Sequence, residues 1–133
     1  MHTLKLFIIA LGTFLILDGV WLLVVAKGIY ARAIGPLMLE KINYIAVGGV
    51  YFFLVVALLY FVILPGLSAG NALLSITLGG ALLGFIVYGV YDMTNLATLK
   101  GWTLSISLID MAWGTFVSGV VAGITSYVSR LIG

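Results

Sequence analysis

The chain has 133 residues, of which 64% are hydrophobic and only 8% charged, with a mean hydropathy of +1.33; soluble domains carry about a quarter of their residues as charges, so this is a chain for a bilayer. A net charge of +2 from scattered basic residues excludes a nucleic-acid footprint. The lack of cysteine and the single histidine, His2, exclude disulfides, thiolate chemistry, cysteine-ligated metals and a bis-histidine haem within one chain.

A bilayer core about 30 Å thick takes about 20 apolar residues in helical form. The first such run covers Leu4–Ala26. It starts like a signal peptide, with Lys5 ahead of an apolar stretch. The stretch is too long for an h-region, holds Asp18, and offers only Val24-Val25-Ala26 for cleavage, so it reads as a retained helix. The segment KGIYARAIGPLMLEK, broken at Gly35-Pro36, leads to a second helix over Asn43–Leu64. PGLSAG turns the chain into a third, Ala72–Leu96, and LKGWT, around Gly101, into a fourth, Leu104–Ile132. The fold class is all-α: an integral membrane four-helix transmembrane bundle, one domain over residues 1–133.

Four spans put both termini and the PGLSAG turn on one face, here the termini face, with Lys5 and Arg130. The opposite loop face carries Lys27, Arg32, Lys41 and Lys100. The positive-inside rule assigns the loop face to the cytoplasm and both termini to the outside.

Depth along each helix follows from a rise of about 1.5 Å per residue. Asp18 lies about 12 Å from the loop-face end of helix 1, and Tyr51 about 12 Å into helix 2. Asp92 lies about 6 Å from the end of helix 3, and Asp110 about 9 Å into helix 4. Three acids far apart in sequence thus fall in one layer. An aspartate costs about 2.5–3.5 kcal/mol at a helix centre and less near the interface, so such groups turn inward to partners. The structural alternative is that they lock helix register as buried polar groups do. Three at one level favour a site that takes a proton, a cation or a basic substrate.

The spacing around them is helical. Tyr88, Asp92 and Asn95 fall at i, i+4 and i+7, flanked by Tyr91 and Thr98, a polar stripe that ends in YDMTNLATLKGW as helix 3 reaches the surface. Trp102 is expected in the interfacial belt. Asp18-Gly-Val-Trp21 and Asp110-Met-Ala-Trp113 are both D-x-x-W, which places acid and indole on one helix face, the indole N–H a donor and its ring an apolar cover. The helices run antiparallel, so Trp21 lies shallower than its aspartate and Trp113 deeper. Small residues at Gly80 and Gly84 on helix 3, and at Gly114, Ser118 and Ala122 on helix 4, predict close packing of these two helices, within the chain or across a dimer.

The D-x-x-W of helix 1, the run YDMTNLATLKGW and the closing IDMAWGT resemble a family of small bacterial inner-membrane proteins known as domain of unknown function 2177. The resemblance spans nearly the whole chain. It implies a four-helix membrane protein of the bacterial inner membrane, and Asp18, Trp21, Tyr91, Asp92, Thr94, Asn95, Thr98, Trp102, Asp110 and Trp113 match its pattern. It brings no activity with it.

The residues together point to a carboxylate-lined pocket open on the loop face, for a small molecule, a lipid headgroup or a cation. Asp92 is the expected central group, supported by Asn95 and Tyr88. Asp18 and Asp110 flank it, Trp21 and Trp113 form walls, and Tyr51, Tyr91 and Thr98 complete the set. No metal and no cofactor is expected. Proton- or cation-linked transport of a small solute is the favoured use, by a homo-oligomer, since four helices are few to enclose a path. Against it, the termini-face half offers only hydroxyls inside the helices. The alternatives are a membrane enzyme acting on a lipid or isoprenoid, with carboxylates as acid and base, and a lipid- or pigment-binding scaffold subunit.

Overall fold

The computed structural model describes residues 2–25, 28, 29, 32 and 43–133. Four helices are long and apolar enough to cross a membrane: α1 (His2–Val25), α2 (Tyr44–Ser68), α3 (Leu73–Thr98) and α4 (Leu104–Ile132). No strand occurs among the described residues. The Gly35-Pro36 breaker, Lys27, Glu40 and Lys41 lie outside them.

The helix bounds match the sequence reading within a few residues except at the end of α2. Pro65 was the expected stop, yet the helix continues to Ser68. Proline removes a backbone donor and crowds the preceding turn, but it is tolerated in the first turn of a helical segment. The chain meets that condition by widening to a π-helical turn over Leu59–Ile63, where the Leu64 N–H reaches back to the Leu59 carbonyl, and restarting as α-helix with Pro65 in its first turn. The helix then closes in a Schellman motif. Gly70 takes a φ of +70°, its N–H bonds the Leu67 carbonyl at 3.2 Å, and the Asn71 N–H bonds that of Gly66 at 2.9 Å. At the other ends, Asn43 caps α2 by accepting from the Ala46 N–H, and Thr103 caps α4 by accepting from that of Ile106.

Helices α3 and α4 form the tightest pair, and the small residues are the reason. A side chain at Gly80 would run into Ala122 and the Ser118 carbonyl; one at Gly84 would run into the Gly114 carbonyl and Ser118. Gly114 in turn makes room for the Tyr88 ring. Backbones in lipid gain little from hydrophobic exclusion, so this close approach is what joins the pair, and it joins them within one chain.

Helix α4 also packs along α1, and α1 against the first half of α2. The second half of α2, Leu59–Ser68, reaches α3 and α4, whereas Tyr44–Leu58 has α1 as its main neighbour. The apolar core accordingly lies from mid-depth toward the termini face, built from Leu6, Ala10, Phe14, Val55, Leu58, Ile63, Val117 and Val121. That end is tied by the Arg130 guanidinium donating to the Asn71 carbonyl and by His2 against Ser129 at 3.3 Å. Toward the loop face α2 stands away from α3, and the space between them is a cleft.

Gly84→Ala is expected to lower stability by about 1–3 kcal/mol, because the obstructing atom is backbone and cannot swing away. Gly12→Ala, which faces open space, is expected to leave the melting temperature in detergent unchanged or raised, since alanine is the better helix former. Equal melting temperatures for the two variants would refute the seam.

Candidate functional site

Asp18 is where α1, α2 and α4 meet. The Tyr51 hydroxyl of α2 donates to its Oδ2, and the Trp113 indole of α4 donates to its Oδ1 at 2.8 Å. Tyr51 is held in turn by an edge-on contact with Phe14, ring centroids 5.6 Å apart. A carboxyl group with only 8% of its surface exposed thereby has a donor on each oxygen, which offsets the cost of taking it out of water.

The two D-x-x-W motifs work crosswise. The indole of the α4 motif serves the aspartate of the α1 motif, and Trp21 lies flat on Trp113, centroids 4.5 Å apart and planes within 6°. Antiparallel geometry explains this. Acid and indole are three residues apart, about 4.5 Å along the axis. Trp113, deeper than its own aspartate, comes level with Asp18, while Trp21, shallower than its own, comes level with Asp110.

This pair forms one wall of a cleft of about 640 Å³ bounded by all four helices. Asp18, Trp21 and Leu22 come from α1, and Val50, Phe53, Leu54 and Ala57 from α2. Val87, Tyr88 and Tyr91 come from α3, with Trp102 from the following turn and Asp110 and Trp113 from α4. Its size is that of a small-molecule site, and its lining is mainly apolar and aromatic rather than the polar one the acid layer suggested. Two carboxyl groups, Asp18 and Asp110, are its charged groups among the described residues.

Asp92, the expected central group, does not line the cleft. It is wholly buried, and among the described residues no donor reaches either of its oxygens. The neighbouring carboxyl group is that of Asp110 on α4. Of the three acids, Asp18 and Asp110 thus line the cleft, and Asp92 is buried behind it.

The remaining sequence candidates divide. Tyr88 and Tyr91 line the cleft, and Tyr51 reaches it through Asp18. Asn95 is half-buried and is not in the lining. Thr98 is exposed and donates to the Thr94 carbonyl at 2.7 Å, as Thr94 does to Val90 at 2.6 Å; both are back-bonding hydroxyls of a helix end, not pocket groups. Arg32, one of the loop-face basic residues, donates to the Gly28 carbonyl at 3.1 Å. Trp102, expected in the interfacial belt, is turned inward with 7% exposure. Its indole donates to Ser107 at 2.8 Å, and its ring meets Tyr91 edge-on at 6.1 Å. The apolar lining from α2, Phe53 above all, carried no signal in a uniformly apolar helix. Among the described residues no cluster of three or more metal-ligating side chains occurs.

Trp113→Phe is expected to cost about 1–3 kcal/mol of unfolding free energy in the native background and clearly less on Asp18→Leu. The resulting coupling, about 0.5–3 kcal/mol in a double-mutant cycle, separates the hydrogen bond from the lost stacking on Trp21. Equal costs in both backgrounds would mean that the bond contributes nothing.

No curated protein and no solved structure matches the chain. A family model described as "Predicted membrane protein (DUF2177)" matches residues 3–127, a stretch that holds every cleft residue and all three aspartates. The chain belongs to this family of membrane proteins.

Proposed function

We propose that the protein binds an amphiphilic molecule from the surrounding bilayer, its head group at Asp18 and Asp110 and its apolar part along α2. The observation that carries this reading is the shape of the cleft. Two carboxyl groups sit in an otherwise aromatic and apolar space, and that space lies where α2 stands away from α3. The large apolar share of the lining suits a ligand with an extended apolar part. The four basic residues of the loop face, Lys27, Arg32, Lys41 and Lys100, favour that face as the cytoplasmic one.

Transport of a small solute by a single chain is the weaker reading. A path would have to cross Phe14, Val55, Leu58, Val117 and Val121, all without exposed surface, so a second copy would have to supply it. A membrane enzyme is favoured by one feature, the Asp92–Asp110 pair, which has the makings of an acid and a base. It acts on the same bound amphiphile, and conversion of that amphiphile by purified protein separates catalysis from binding.

Trp21, Trp102 and Trp113 are the chain's three tryptophans, and all three line the cleft. Emission in vesicles of lipids brominated along the acyl chain is therefore expected to be strongly quenched relative to unbrominated vesicles. Filling the cleft with Ala57→Phe is expected to relieve much of that quenching. Equal emission in the two vesicle types, or quenching indifferent to Ala57→Phe, would contradict a cleft open to lipid.

A further inference from the structure

We propose that the head group taken by the cleft is a cation of the ammonium class, an amine or quaternary ammonium carried on an apolar chain. This deepens the amphiphile reading and rests on it. Three features of the cleft converge on that chemistry. Its charged groups among the described residues are Asp18 and Asp110, with no lysine, arginine or histidine in the lining. Among the described residues a phosphate, sulfate or carboxylate head group would therefore meet like charge.

The donors that hold Asp18, a phenol and an indole, are neutral. They orient the carboxyl group without supplying the positive charge that would complete it, and an ammonium group supplies it.

The walls are the third feature. Aromatic rings come from every helix: Trp21 on α1, Phe53 on α2, Tyr88 and Tyr91 on α3, and Trp113 on α4, with Trp102 from the turn between α3 and α4. Several are fixed by ring contacts, Trp21 on Trp113 and Tyr91 on Trp102, so they are preorganised. Aromatic faces attract a cation through the ring quadrupole and attract it most where water is excluded, and cages of such rings are a recurrent means of binding alkylammonium groups. Neutral sugars or alcohols gain little from this arrangement, and anions lose by it.

The test compares three single-chain probes of equal tail length, octyltrimethylammonium, octyl glucoside and octanesulfonate, titrated into the detergent-solubilised protein. Cleft tryptophan emission is the readout. Octyltrimethylammonium is expected to bind roughly ten- to thirtyfold more tightly than either of the others. Asp18→Asn is expected to remove most of that advantage, weakening octyltrimethylammonium by a clearly larger factor than octyl glucoside. The head-group comparison needs no variant, so it decides the matter even if Asp18→Asn does not fold. Equal midpoints for all three probes, or tightest binding of the sulfonate, would overturn the cation assignment and leave the amphiphile site standing. If no probe changes the emission, the amphiphile site falls and the cation assignment falls with it.

Discussion

A carboxyl group placed inside a bilayer has to find its donors on other helices, because its own helix has already used its backbone groups. For Asp18 those donors are Tyr51 and Trp113, and this three-helix junction sets the rest of the loop-face half. It holds α2 to α1 at a depth where α2 has no close packing with α3. It orients Trp113, on which Trp21 stacks, and so builds one wall of the cleft. The depth of one acid and the reach of two donors thus decide where the bundle is joined and where it gapes.

The α3–α4 pair is the counterpart. Its glycine seam brings two backbones together, and Gly114 leaves room for Tyr88 to lie across it. The two halves of the molecule are therefore held by different physics. Close backbone contact joins α3 to α4, and hydrogen bonds to a carboxyl group join α1 and α2 to α4. Toward the termini face the two arrangements meet in a common apolar core. Toward the loop face they diverge, and the space left over is lined by what each presents: rings, aliphatic side chains and two acids.

Much of this was legible in the chain itself. Apolar run length fixes the spans, residue rise fixes the acid layer, and the spacing of small residues marks the α3–α4 seam. Depth arithmetic even contained the crossed pairing, since it places Trp113 level with Asp18. What it lacked was the knowledge that α4 neighbours α1 closely enough for the bond to form. Periodicity gives a face and a depth, but not which helix that face meets. Asp92 was for this reason set at the centre of a pocket it stands behind, and Thr98 was given to a site from which its own helix turns it away. Trp102 lies at a belt residue's depth, but its donor finds Ser107 in the adjoining turn, a contact set by the loop geometry around Gly101 and not by hydropathy. Pro65 was read as a stop because a proline within an apolar run is one unless the turn before it widens, and nothing in LYFVI signals that it does.

The most direct measurement is the indole N–H spectrum of the isotope-labelled protein, in which three tryptophans give three resonances. Trp113 is expected to show a downfield proton that exchanges slowly with water, as suits a bond to a buried carboxylate oxygen. In Asp18→Leu that resonance is expected to move upfield and exchange faster, while that of Trp102, bonded to Ser107, stays in place. A Trp113 resonance indifferent to the loss of Asp18 would contradict the junction on which the cleft depends.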